Sequence, residues 1–228
     1  MNAHTILLIS LAVYFCLITF LDLKFKLLRD TSSAVHKPYS FSKVQMAWWM
    51  GFIMSAFVAV IFDKYNTADF IPTFSNGALI VLGISTGTSV AALLIDSSDQ
   101  AAQLPRLQDH EKENIFLDIL SDKNGVSISR LQTVLFNLIF SIWFFLKLWK
   151  NLDCFDDAIS KAGITPCTSE FAKSIKDMIS TIIPDFDSNT LILLGISSGT
   201  YAAFKTTENK NPAPPAAPPV NPPAPAVG

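Results

Sequence analysis

The chain has 228 residues, is 50% hydrophobic with 18 Phe, contains 16% charged residues and carries a formal net charge of −2. That profile is unusually apolar for a water-soluble domain. With no basic excess to neutralise a run of phosphates, nucleic acid is excluded as an expected partner.

The apolar residues gather in five blocks, residues 5–21, 46–62, 78–95, 131–146 and 190–204. Each approaches the roughly 17 to 25 residues that about 30 Å of hydrocarbon demands at 1.5 Å per residue. Lipid offers backbone groups no outside partner, so each block is expected to be a transmembrane helix. The first block lacks a basic start and an A-x-A-like cleavage site, so it reads as a retained helix rather than a secretory signal. It is followed by Lys24, Lys26, Arg29, Lys37 and Lys43, whereas residues 1–4 carry no Lys or Arg. By the positive-inside rule this predicts an outer N-terminus and a cytoplasmic C-terminus. Lys64, Lys147, Lys150, Lys161, Lys173 and Lys176 then fall outside, the smaller share.

The second block opens with Trp48 and Trp49, placed for an aromatic belt. Just before it stands "FSKVQ" (41–45), matched by "ISRLQ" (128–132) before the fourth block. The third and fifth blocks match as well: "LIVLGISTGTSVA" (79–91) and "LILLGISSGTYAA" (191–203) are identical at nine of thirteen positions. The chain therefore writes one helical hairpin twice, each ending its outer loop at Phe74 or Phe186. An even number of crossings separates the copies, so the repeat is parallel, unlike the inverted repeats of many secondary transporters.

Lys43 and Arg130 fall at the inner membrane edge, placed to snorkel to headgroups. Gln45 and Gln132, two residues on, are placed to bond a facing helix. Gly83, Gly87 and Ala91 share one helix face, as do Gly195, Gly199 and Ala203, and such faces let helices approach closely in lipid. Beside them lie Ser85, Thr86, Thr88 and Ser89 in one copy and Ser197, Ser198 and Thr200 in the other. Two roles are open to these hydroxyls: hydrogen bonds to helix carbonyls or neighbouring helices, or the lining of a narrow polar path through an oligomer.

The inner loop, residues 97–127, begins polar and continues into a short amphipathic helix bearing Ile115, Phe116, Ile119 and Leu120, with "DKNG" as a turn before the next span. The second outer loop holds Cys154 and Cys167, expected to pair as a disulfide in an oxidising compartment. It also carries a helical stripe of Phe171, Ile175, Met178 and Ile179, suited to the membrane surface or to covering a neighbour. The Pro- and Ala-rich tail, 206–228, reads as a semi-rigid polyproline segment, a spacer or a ligand for an aromatic groove.

His4, His36 and His110 lie in separate segments, and no G-x-S-x-G, H-E-x-x-H or phosphate-loop pattern occurs. The sequence therefore predicts no enzyme, no metal and no cofactor. "FLDILSDKNGVSISRLQ" followed by an aromatic helix and "LILLGISSGTYAAFK", with "YSFSKVQMAWW" and "LIVLGISTGTSVAALLID" as its first half, resembles a largely uncharacterised group of bacterial integral membrane proteins. The resemblance implies a bacterial inner (plasma) membrane and no particular activity.

The expected architecture is all-α, with an N-terminal helix and basic linker (1–38), a first hairpin (39–96), a cytoplasmic loop (97–127), a second hairpin with an enlarged outer loop (128–205) and the tail. The expected function is a non-enzymatic module that oligomerises through its glycine faces and anchors or senses a cytoplasmic partner through the inner loop or tail. A small oligomeric channel lined by the Ser and Thr residues is the alternative.

Overall fold

The computed structural model describes residues 2–31, 37–63, 72, 74–104, 114–122, 125–162, 179 and 181–208, with backbone alone at 158–162 and 208. The tail beyond residue 208 and Phe171, Ile175 and Met178 lie outside them.

The regular structure among the described residues is helical apart from a two-residue antiparallel ladder and an isolated antiparallel bridge between Arg29 and Tyr39. Its elements are α1 (Ala3–Phe25), α2 (Phe41–Ile61), α3 (Asn76–Ala101), α4 (Ile115–Leu120), β1 (Ser121–Asp122), β2 (Gly125–Val126), α5 (Ile128–Ala162) and α6 (Ser188–Glu208). Among the described residues, four helices are long and apolar enough to cross a membrane: α1, α2, α3 and α5 through Asp157. Their length and composition fit a multi-pass membrane protein. The residues on their outer faces agree, with Val13, Leu17, Phe20, Leu79, Leu94, Leu135 and Leu146 all exposed.

Helix α1 packs along α2. Close approach is possible because position 51 has no side chain: a Cβ on Gly51 would lie 2.7 Å from the Tyr14 ring. The Tyr14 hydroxyl donates to the Ala47 carbonyl at 2.9 Å, and Phe15 meets the rings of Trp48 and Phe52.

Helices α2, α3, α6 and α5 form the rest of the bundle, with α3 against α2 and α6, and α6 also against α5. The buried positions of α3, Val81, Ser85, Thr88, Ala92, Asp96 and Asp99, recur every three or four residues. Leu194, Ser197, Ser198, Tyr201 and Lys205 do the same on α6. This spacing keeps one stripe of each helix turned to its neighbours. Small and hydroxyl residues dominate the stripes, so the seam between helices is narrow and polar.

At the N-terminal ends of the two glycine helices, side-chain caps satisfy orphan N–H groups. Ser75 caps α3 at Ala78, and Asp187 accepts from the Thr190 N–H and hydroxyl at 2.9 Å each. Those two bonds hold the exposed Asp187 carboxyl below the usual carboxylate range. Asp185 accepts from the Gly77 N–H at 2.7 Å, which ties the segment before α6 to the start of α3. A Cβ on Gly77 would collide with the Asp185 carboxylate and lie 2.6 Å from the Phe186 nitrogen. At the same end, the His4 ring packs on Trp149, and Ile179, Ile182 and Ile183 enter the core. The part of the outer-loop stripe that is described therefore covers a neighbour.

Two expectations change in detail. The helix of the fourth block does not end with its apolar run at residue 146, because α5 continues to Ala162 and takes in the start of the enlarged outer loop. The amphipathic helix in the inner loop exists, with Ile115, Ile119 and Leu120 half-buried and Ile119 packed on the Phe41, Ala92 and Tyr201 cluster, but Phe116 is 75% exposed and its most buried residue is Asp118, 2% exposed, which accepts from the Tyr39 N–H at 3.1 Å. An acceptor for a backbone donor at the start of the first hairpin outweighs the apolar pattern over so short a helix.

Candidate functional site

The hydroxyls and amides of the hairpins converge inside the bundle. On α5, Asn137 donates to the Thr133 carbonyl at 2.7 Å, which fixes its amide and aims its oxygen at α2. That oxygen accepts from Trp49 Nε1 at 2.6 Å and from Gln45 Nε2 at 3.3 Å. Gln45 also donates to Ser198 on α6 at 3.1 Å. One turn toward the N-terminus of α5, the Ser197 hydroxyl donates to Thr133 Oγ1 at 2.7 Å. Ser89 on α3 donates to the Ser42 carbonyl on α2 at 2.9 Å. These bonds join all four helices of the two hairpins.

Gln45 Oε1 and the Ser85 hydroxyl are buried without a hydrogen-bond partner among the described residues. The antiparallel register set by Ser89 and Ser42 places them near one level, since Gln45 lies three residues beyond Ser42 and Ser85 four before Ser89. Thr88 and Thr200 bond back to their own helix, to the carbonyls of Ile84 and Ile196 at 2.8 Å. Thr86 is exposed.

The glycine faces point away from this seam. A Cβ on Gly83, Gly87 or Gly199 would meet nothing within 4 Å, and on Gly195 only Ile84 Cδ1 at 3.9 Å. Gly83, Gly87, Gly199 and Ala203 are exposed, and Ala91 and Gly195 are half-buried. Close packing inside the chain thus rests on Gly51 and Gly77, and the G-x-x-x-G faces stay open.

The inner-edge residues divide. Gln45 reaches the seam, whereas Gln132, its counterpart, is exposed. Lys43 and Arg130 turn back to the chain instead of outward: Lys43 donates to the Arg29 carbonyl at 2.7 Å, and buried Arg130 donates to the Ser121 carbonyl and lies over the Tyr201 ring. Trp49 is fully buried, so it belongs to the polar seam and not to an aromatic belt. Cys154 is an exposed free thiol on α5. Cys167, its expected disulfide partner, lies outside the described residues.

Sequence reading missed the strongest interaction of the seam, a buried ion pair. Lys205 Nζ on α6 lies 2.9 Å from both carboxylate oxygens of Asp96 on α3, and each side chain is 5% exposed. The signal was present: each residue directly follows an apolar block, and the two carry opposite charge at the same end of parallel helices. Lys43 lies within the field of both. At the same end, Arg29 stacks on Tyr39 at 3.9 Å and sits 3.9 Å from Asp22. Burial, followed by the Asp22 carboxylate, pushes the Tyr39 phenol above its usual range against the opposing pull of Arg29.

Comparison with protein-family models, curated proteins and solved structures gives no match. The functional reading therefore rests on this geometry alone.

Proposed function

We propose that the protein is a non-enzymatic module of the bacterial inner membrane, with its N-terminus outside, that self-associates through the glycine faces of α3 and α6. Its inner loop and tail then anchor or sense a cytoplasmic protein. The observation that carries this reading is the division of labour on α3 and α6. Ser89, Ser197 and Ser198 turn inward and tie the chain to itself, while Gly83, Gly87 and Gly199 present open backbone on the outer surface. In lipid, such surfaces favour helix association because packing must replace the missing hydrophobic drive.

Helix α6 is the fifth crossing in this reading. Its 21 residues reach about 31 Å, and it runs parallel to α3 with Lys205 beside Asp96. The parallel repeat is supported by paired details. Ser40 and Ser42 share a hydroxyl contact at 3.1 Å, and Ser127 and Ser129 share one at 2.9 Å. Each basic residue that follows, Lys43 or Arg130, donates to a carbonyl of the preceding segment.

The channel reading has less support, because Ser197, Ser198 and Ser89 are engaged inside one chain. The test is the native mass of the protein in nanodiscs, with and without Gly87→Leu and Gly199→Leu. A multimer that falls to monomer in the double variant supports self-association, and an unchanged multimer sinks it. Steady single-channel currents from purified protein in planar bilayers would revive the channel.

A further inference from the structure

The segment joining α1 to α2 builds a cleft that the seam does not explain. Helix α1 ends on Lys26 in the left-handed conformation (φ 55°), a position that Gly or Asn usually fills. The chain then doubles back: Asp30 N–H donates to the Pro38 carbonyl at 2.9 Å, and Ser40 N–H to that of Leu28 at 2.8 Å. Arg29 braces the return through the Lys37 carbonyl and the Tyr39 hydroxyl. The result is a cleft of about 450 Å³ lined by Phe25, Lys26, Arg29, Asp30, Thr31, Lys37 and Lys43.

Four cations face it against one carboxylate. Arg29 is already bound to the chain, and Asp22 offsets part of its charge. Lys26 and Lys37 are exposed, and Lys43 uses one of its three N–H donors on the Arg29 carbonyl. The cleft therefore favours an oxyanion that takes several ammonium donors. Its position selects the source. It opens at the end of an apolar span whose last turn exposes Leu23 (77%) and Phe25 (64%). A lipid can thus lay acyl chains on α1 while its phosphate reaches the lysines.

We propose that this cleft binds the phosphate headgroup of an anionic phospholipid, with Lys26, Lys37 and Lys43 as donors and Phe25 against the glycerol region. The proposal rests on the membrane reading but not on self-association.

The test uses full-length protein in nanodiscs of phosphatidylcholine with a minor share of phosphatidylglycerol, and counts retained lipid by native mass spectrometry. Wild type should hold phosphatidylglycerol in preference to phosphatidylcholine. Lys26→Gln with Lys37→Gln should weaken that preference roughly fivefold per lysine, or roughly thirtyfold together. Lys147→Gln with Lys150→Gln, at the other end of the bundle, should leave it unchanged. Equal retention by the Lys26/Lys37 variant, or equal loss in the Lys147/Lys150 variant, overturns the site. Displacement of the lipid by millimolar inorganic phosphate overturns the lipid assignment in favour of a soluble anion. A diazirine-bearing phosphatidylglycerol decides on wild type alone, should the variant misfold. Crosslinks concentrated on residues 25–31 and 37–43 support the cleft, and uniform labelling of all lipid-facing helices refutes it.

Discussion

Replacing Lys205 by Met takes from buried Asp96 the ammonium group that lies 2.9 Å from both its oxygens. At 2.9 Å and an effective dielectric constant of about 20, the attraction between the two charges is about 6 kcal/mol before desolvation is subtracted. Removing one member of such a pair typically costs about 3–5 kcal/mol, because the other charge stays behind. The environment orders the two single variants. Lys43 remains within the field of Asp96 after Lys205 is lost, so Lys205→Met should fall near about 3 kcal/mol. Asp96→Leu leaves Lys205 and Lys43 facing each other and should fall near about 5 kcal/mol. The double variant, with no charge left in the pair, should recover to within about 1 kcal/mol of wild type. The assay is unfolding in lipid nanodiscs followed by Trp fluorescence, arranged as a double-mutant cycle. Two single variants within about 1 kcal/mol of wild type, or a double variant no better than the worse single, would refute the buried pair.

The remaining predictions concern other parts of the bundle. Gly77→Ala should destabilise by about 1–3 kcal/mol, because its Cβ meets the Asp185 carboxylate and the Phe186 backbone, and Gly83→Ala, on open surface, should not; thermal melts compare the two. Asn137→Leu removes the shared acceptor of Trp49 and Gln45 and should cost about 1–2 kcal/mol, with a change in Trp fluorescence as Trp49 loses its partner. Asp187 has a lowered carboxyl pKa, so its unfolded form takes up the proton first as pH falls. The stability it contributes is complete above the unfolded value of about 4 and is lost as pH falls through the lower folded value. Asp187→Asn should therefore flatten the acid limb of the stability profile and leave its neutral and alkaline parts parallel to wild type.

Helices were legible in the sequence wherever length alone decides, as in α1, α2, α3 and α5. Which way a side chain turns was not, because an apolar block carries no polar face to orient it. Gln45 bonds Asn137 and Ser198 on facing helices, yet the same pattern at Gln132 points outward. Within the chain the close approaches occur at Gly51 and Gly77, whose neighbours, Tyr14 and Asp185, are remote in sequence, and not at the G-x-x-x-G faces. Asp96 and Lys205 drew no role from the sequence, because each stands one position past its apolar block as the last residue of its hairpin. They were recoverable from the repeat, which sets two parallel helices side by side and their terminal charges together.

The outward glycines and inward hydroxyls are tested most directly by single cysteines in a chain whose Cys16, Cys154 and Cys167 are changed to Ser. Cysteine is placed in turn at positions 87, 199, 85 and 197, and native membranes are treated with a mild oxidant. The account predicts disulfide-linked dimers from Gly87→Cys and Gly199→Cys and none from Ser85→Cys or Ser197→Cys. Dimers from the two serine positions alone would place the hydroxyls between chains and contradict it.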